Sequence, residues 1–181
     1  LCQARNIAPK LAEIAQTIPD LREIHNRIRT AIDIHGKVKD QASPTLMVLR
    51  EQVRNAYRRL TRALEQIIES EIHQESLQDQ VISIRGERLV LQVKVEHRHR
   101  VPGIVLGASK TGATLFIEPL ATVELCNTWK ELGLKEEREV SRILEELSTM
   151  VGDVADDIQQ GAQATTQIDL ILAKARYSVS L

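Results

Sequence analysis

The sequence has 181 residues, 43% of them hydrophobic, and a formal net charge of −1, which excludes a disordered chain and leaves room for one good-sized domain or two small ones. Its overall charge argues neither for nor against nucleic acid, so only local charge can speak. Tyr57, Phe116, Trp129 and Tyr177 are the whole aromatic complement, so the core must come from Leu, Ile, Val and Ala, as in helix bundles and coiled coils. Cys2 and Cys126 have no spacing for zinc or a redox motif, which fits a reduced cytoplasmic setting. No apolar run approaches the roughly 20 residues of a membrane span. The chain opens at Leu1 with neither Met nor a signal peptide, so its start reads as cut from something longer.

In chain order, Ile7, Leu11 and Ile14 with Ala4, Ala8 and Ala15 follow helical spacing, with Pro9 starting or kinking the helix. Pro19 then opens a second helix as a first-turn proline, with Leu21, Ile24, Ile28 and Ile32 on one face and Gly36 as its end. A polar connection follows to Ser43. Ser43 and Pro44 form a cap and a first helical position. Leu46, Leu49, Val53, Ala56, Leu60, Ala63 and Ile67 then step by threes and fours, and the pattern persists to about Gln78, a helix on the order of 50 Å long.

From Val81 to Pro119 the pattern changes to strand. Val81, Ile82 and Ile84, then Leu89 to Val95, then Ile104 and Val105, then Leu115 to Ile117 supply β-branched and apolar density. Gly86 and Glu87 fall where a type II′ hairpin turn would sit, and Lys110 to Gly112 offer a second reversal. About four antiparallel strands are expected.

Helical spacing resumes near Ala121, with Val123, Leu125, Trp129 and Leu132, and Gly133 as a possible bend. From Val140 a heptad runs through Leu144, Leu147, Val151, Val154, Ile158, Gly161, Thr165, Ile168, Leu172 and Ala175, predicting one long helix packed along another. Lys135 with Glu139, and Arg142 with Glu146, add i,i+4 surface pairs. Helical segments joined through the strand island can pair only antiparallel, which puts a small sheet at the tip of a stalk. The expected class is α+β, mainly α, divided as residues 1–80, 81–119 and 120–181.

The island carries Arg85, Arg88, Lys94, Arg98, Arg100 and Lys110 against Glu87 and Glu96. A basic tip suits phosphate binding, because Lys and Arg gain affinity by releasing condensed counterions. The opposing reading is a solvated strand face with edge-protecting charges and no aromatic platform for bases. His97 and His99 share one strand face, but no thiol or carboxylate completes a metal site. Gly107 to Thr114 imitates a phosphate loop until Ala113 stands where the lysine belongs, and the segment leads to a strand instead of a helix. Glu118 and Glu124 lack a partner group for acid–base work, and Glu118 is better explained by the strand-to-helix corner.

Ser109 to Pro119 (SKTGATLFIEP), followed by Val123 to Asn127 (VELCN), closely resembles the SGATLFIEP and VELNN signature of the second bacterial MutS-type paralogue, whose members usually end in an Smr nuclease module. Ile32, Asp33 and Gly36, Ala42 to Pro44, Ile82 to Arg85, Val93 and Lys94, Gly103 to Val105 and Arg142 to Ser148 agree with that resemblance. Lys110, Thr111 and Cys126 depart from it. The resemblance implies the helical lever and β clamp of a larger dimeric ATPase, without its ATP- and magnesium-binding domain or its nuclease tail. Such proteins are associated with suppressing recombination on branched DNA and with rescuing collided ribosomes. DNA or ribosomal RNA is then the expected partner of the six cations, with no enzyme activity, cofactor or metal in this chain. The alternative is a structural coiled-coil module for dimerisation and force transmission.

Overall fold

The computed structural model describes residues 8–179; Cys2, and Ala4 and Ile7 of the expected first helix, lie outside them. Two compact units result, one of residues 44–139 and one of residues 1–43 with 140–181. The sheet belongs to the first, which begins with α3.

Pro44 occupies the first position of α3 (Pro44–Glu69), as the Ser-Pro pair predicts. The helix stops short of the expected Gln78 because Ser70 is extended (φ −68°, ψ 123°), and its carbonyl accepts from the amides of His73 and Gln74 to start the single turn α4 (Glu71–Gln74). Strand β1 (Leu77–Arg85) begins immediately afterwards, and the apolar spacing that extended the helical pattern there belongs to this corner. Strands β2 (Arg88–Lys94), β3 (Gly103–Ala108) and β4 (Thr114–Pro119) complete a four-stranded sheet of order β1-β2-β4-β3 with every neighbour antiparallel, so the expected α+β class holds.

Within the strand island two details differ from the sequence reading. Gly86 and Glu87 both have positive φ, 54° and 61°, so the β1–β2 turn is of type I′ and not II′, matching the right-handed twist of the paired strands. Val95 to Arg100 is a 3-10 helix, not strand, so His97 and His99 do not share a strand face. That run has no apolar alternation to bury, and the chain regains the core only at Val101, 1% exposed. The segment links β2 to β3, which run parallel on either side of β4. At the start of β3, a Cβ on Gly103 would lie 2.4 Å from both the Glu118 carbonyl oxygen and Ile117 Cγ2, so the close approach of β3 to β4 requires glycine.

Leu89, Leu91, Val93 and Ile117 form one apolar face, packed with Leu60 and Leu64 of α3 and Cys126 of α5 (Leu120–Asp153). Each buried Leu contributes about 1.5–3 kcal/mol, so this layer, not strand pairing alone, holds the small sheet. Helices α3 and α5 run antiparallel here. Arg50 Nε donates to Glu136 Oε1 at 2.9 Å, and Tyr57 meets Trp129 with ring centroids 5.5 Å apart. Helix α5 continues through Gly133 without a break.

In the other unit, α1 (Pro9–Gln16) starts at Pro9 as expected and lies against α6 (Ala155–Val179), where Gln160 Nε2 donates to the Thr17 carbonyl at 3.0 Å and the Pro19 ring sits 3.5 Å from the position a Gly161 Cβ would take. Pro19 does not begin the next helix. Helix α2 (Arg22–Ala31) begins three residues later, where Asp20 accepts from the Arg22 amide, and ends before Gly36. Gly36, at φ 78°, lies in a tight loop that Asp33 closes by accepting from the His35 and Lys37 amides. The heptad predicted as one helix is divided: α5 ends at Asp153, Val154 donates back only to Val151, and α6 follows. The buried positions on either side of the break keep one register, Ala164 and Ile168 falling three heptads after Ile143 and Leu147. Ile143, Leu147, Ala164 and Ile168 are buried, while the heptad positions Leu144 and Leu172 are exposed.

Candidate nucleic-acid interface

The sheet separates the six island cations. Arg85 and Arg88 flank the β1–β2 turn, while Lys94 closes the other end of β2, opposite Thr114 of β4. Lys110 lies in the β3–β4 turn at that second end, and the Val95 amide, which opens the 3-10 helix bearing Arg98 and Arg100, donates to the Ala113 carbonyl of the same turn at 3.0 Å. Four of the six therefore gather at one end and two at the other.

The pair at the turn is engaged within the fold. Arg88 Nη1 donates to both Glu118 oxygens at 2.6 and 2.9 Å, and Nη2 donates to Asn127 Oδ1 at 2.8 Å. The Glu118 side chain is 1% exposed and that of Arg88 26%, so a buried carboxylate is held by one nitrogen of a part-buried guanidinium, and the pair joins β2, β4 and α5. Its hydrogen bonds to Glu118 push the Arg88 guanidinium further above its ordinary range. Beside it the Cys126 thiol is pushed up by burial, which keeps it protonated and unreactive. Arg85 lies with its guanidinium carbon 4.1 Å from the centroid of the Phe116 ring, a cation–π contact.

The four at the other end are more available. Lys94 Nζ donates to the Glu75 carbonyl at 3.0 Å, and Arg100 Nη1 reaches a Glu75 carboxylate oxygen at 3.3 Å. Glu75 is 80% exposed, so this pair is worth about 0–1 kcal/mol and yields readily to a competing anion. Arg98 and Lys110 are exposed and have no ion pair or hydrogen-bond partner among the described residues. The turn carrying Lys110 is fixed by hydrogen bonds: the Ser109 amide donates to the Thr114 carbonyl at 2.8 Å, the Gly112 amide to the Ser109 carbonyl at 2.9 Å, and the Thr114 amide to Ser109 Oγ at 3.2 Å. It is a hairpin turn between strands and presents no helix N-terminus to a nucleotide.

Among the described residues no group of three or more His, Cys, Asp or Glu side chains is placed to hold a metal ion, and no helix is long and apolar enough to cross a membrane. The sequence reading passes over four further arginines, Arg54, Arg58, Arg59 and Arg62, all exposed on α3. The signal that points to them is the absence of any Asp or Glu between Gln52 and Leu64.

This is an α+β unit in which an antiparallel helix pair carries a four-stranded sheet with cations concentrated at one end. No family model matches the chain. Curated relatives do: the chain is 43% identical over 173 residues to the Endonuclease MutS2 of Geobacillus sp. and to that of Pelotomaculum thermopropionicum, and 40% identical over the same length to that of Symbiobacterium thermophilum. Each alignment takes in 96% of this chain and 22% of the relative. The chain is thus MutS2-related, and it spans about a fifth of the length of the curated relatives it matches.

Proposed function

We propose that this chain is the lever and clamp region of a dimeric, cytoplasmic MutS-type ATPase and grips nucleic acid, branched DNA or ribosomal RNA, through its phosphates. The observation that carries the proposal is the end of the sheet where Lys94, Arg98, Arg100 and Lys110 gather, two of them unpartnered among the described residues and a third held only by the exposed Glu75. Arg85 and Arg88, engaged by Phe116 and Glu118, contribute to that grip by stiffening the hairpin. The curated relatives are named as endonucleases; we assign no cleavage step to this chain. ATP and magnesium act elsewhere in the parent protein, where they set the opening of the arms in suppressing recombination or rescuing ribosomes.

The test is binding of duplex DNA, branched DNA and structured RNA over a salt series. Arg98→Ala with Arg100→Ala should weaken binding and reduce the slope of log affinity against log salt by about 0.9 for each phosphate no longer neutralised on duplex DNA. Circular dichroism should be unchanged, since both side chains are exposed. Equal slopes for a folded double variant and wild type would remove the phosphate reading and leave a structural module.

A further inference from the structure

Helix α3 carries a cationic row that the clamp reading does not use. Arg54, Arg58 and Arg62 follow one another at intervals of four residues, with Arg59 alongside, and all four are exposed. Each step along the row is about 6 Å, from 1.5 Å of rise per residue, which is of the order of the distance between successive phosphates of a nucleic-acid strand. The row lies on the far side of the helix from Leu60 and Leu64, both fully buried. From Gln52 to Leu64 there is no Asp or Glu; the nearest acids of the helix, Glu51 and Glu65, stand at the two ends of the row.

A solvated helix face ordinarily alternates its charges, because opposite charges one turn apart stabilise a helix and like charges weaken it. This face does the reverse. Arg58 is steadied by a hydrogen bond to Asn55 Oδ1, while Arg59 and Arg62 have no partner among the described residues. The choice of arginine at all four positions also matters, since the planar guanidinium fork matches phosphate geometry and is less strongly hydrated than an ammonium group. Arg59 further borders a groove of about 300 Å³ with an apolar floor of Ala56, Leu125 and Leu132 and a polar edge that includes Gln52 and Thr128. That groove leaves room beside the row for a sugar or an unstacked base of the same strand.

We infer that this face of α3 is a second nucleic-acid contact, with Arg58, Arg59 and Arg62, continued by Arg54, each engaging the phosphodiester backbone. It rests on the nucleic-acid reading above only for the class of ligand, and occupies a surface separate from the 3-10 helix and the β3–β4 turn.

The experiment uses the full 181-residue chain and three fluorescein-labelled probes, a duplex DNA, a single-stranded DNA of equal length and an RNA hairpin, each titrated over a salt series. The triple variant Arg58→Gln, Arg59→Gln, Arg62→Gln should lower the duplex salt slope by about 2.7, at about 0.9 for each phosphate, and somewhat less with the single strand. The corresponding triple Lys variant should keep most of the slope, because lysine preserves the charge that releases counterions. A melting profile checks folding; if the triple Gln variant did not fold, Arg58→Gln and Arg62→Gln singly should each lower the slope by about 0.9. An unchanged slope in the folded Gln variant, or a Lys variant whose slope falls as far as that of the Gln variant, would overturn the inference. The Arg98→Ala, Arg100→Ala variant separates the two surfaces: if it alone flattens the slope, the α3 contact is wrong and the clamp stands, and if only the α3 variant does, the clamp reading falls. Failure of wild type to bind any probe would sink both.

Discussion

Breaking the Arg88–Glu118 pair from one side should cost much more than breaking it from the other. Arg88→Met leaves a carboxylate that is 1% exposed, with both of its oxygens stripped of the Arg88 donor. Removing one partner of a buried pair costs about 3–5 kcal/mol. Glu118→Gln removes the charge but keeps an acceptor of the same shape, and the guanidinium left behind is 26% exposed and still held by Asn127, so it rehydrates in part. Its cost should be about 1–3 kcal/mol, the range for leaving a buried polar group partly unsatisfied. The double variant Arg88→Met, Glu118→Leu replaces both charges with apolar groups and should be less destabilised than Arg88→Met alone. Trp129, the only tryptophan, packs on Tyr57 in the same unit, so its fluorescence in a urea titration reports this unit alone. Equal losses for the two single variants, or additive losses in the double variant, would refute the claim that burial of Glu118 sets the asymmetry.

Gly103→Ala places a Cβ 2.4 Å from a backbone oxygen and from Ile117 Cγ2, and should destabilise the same unit by about 1–3 kcal/mol or more as overpacking, visible as a lower urea midpoint; an unchanged midpoint would show that β3 can shift at no cost. Leu147→Asp puts a charge at a site that is 4% exposed and should cost several kcal/mol, of the order of 3 or more, whereas Glu145→Ala, at an exposed position, should stay within about 0.5 kcal/mol. Thermal melts by circular dichroism that showed these two variants alike would mean that Leu147 is not packed.

Local signals serve the sequence reading where one residue decides the backbone. Pro44 fixes the start of α3, and the β-branched runs around Val90 and Ile117 become central strands because both of their faces are covered. The reading fails where the deciding interaction is distant in sequence. Glu118 reads as a corner residue because its partner, Arg88, is thirty positions earlier, and only strand pairing brings the two together. The heptad from Val140 looks continuous because Val154 is itself apolar and on phase, and nothing in its side chain announces that the helix is interrupted there. The run His97-Arg98-His99-Arg100 inherits a strand reading from Val93 and Val95, although without apolar alternation it has no face to bury and so forms a 3-10 crossover.

Charge shows most clearly why position must be known before function is argued. Counted along the chain, the six island cations are equivalent; in the fold, Arg88 is neutralised by a buried carboxylate, Arg85 lies over an aromatic ring, Arg100 and Lys94 share Glu75, and Arg98 and Lys110 face water. A phosphate approaching Arg88 must compete with a buried carboxylate, which a single solvent-exposed contact cannot repay. At Arg100 it competes only with an exposed pair of marginal strength. The energetic order of phosphate contacts therefore places Arg98 and Lys110 first, Arg100 and Lys94 next, and Arg88 last. On the same reasoning Arg59 and Arg62 of α3, exposed and outside the strand island altogether, rank with the first group.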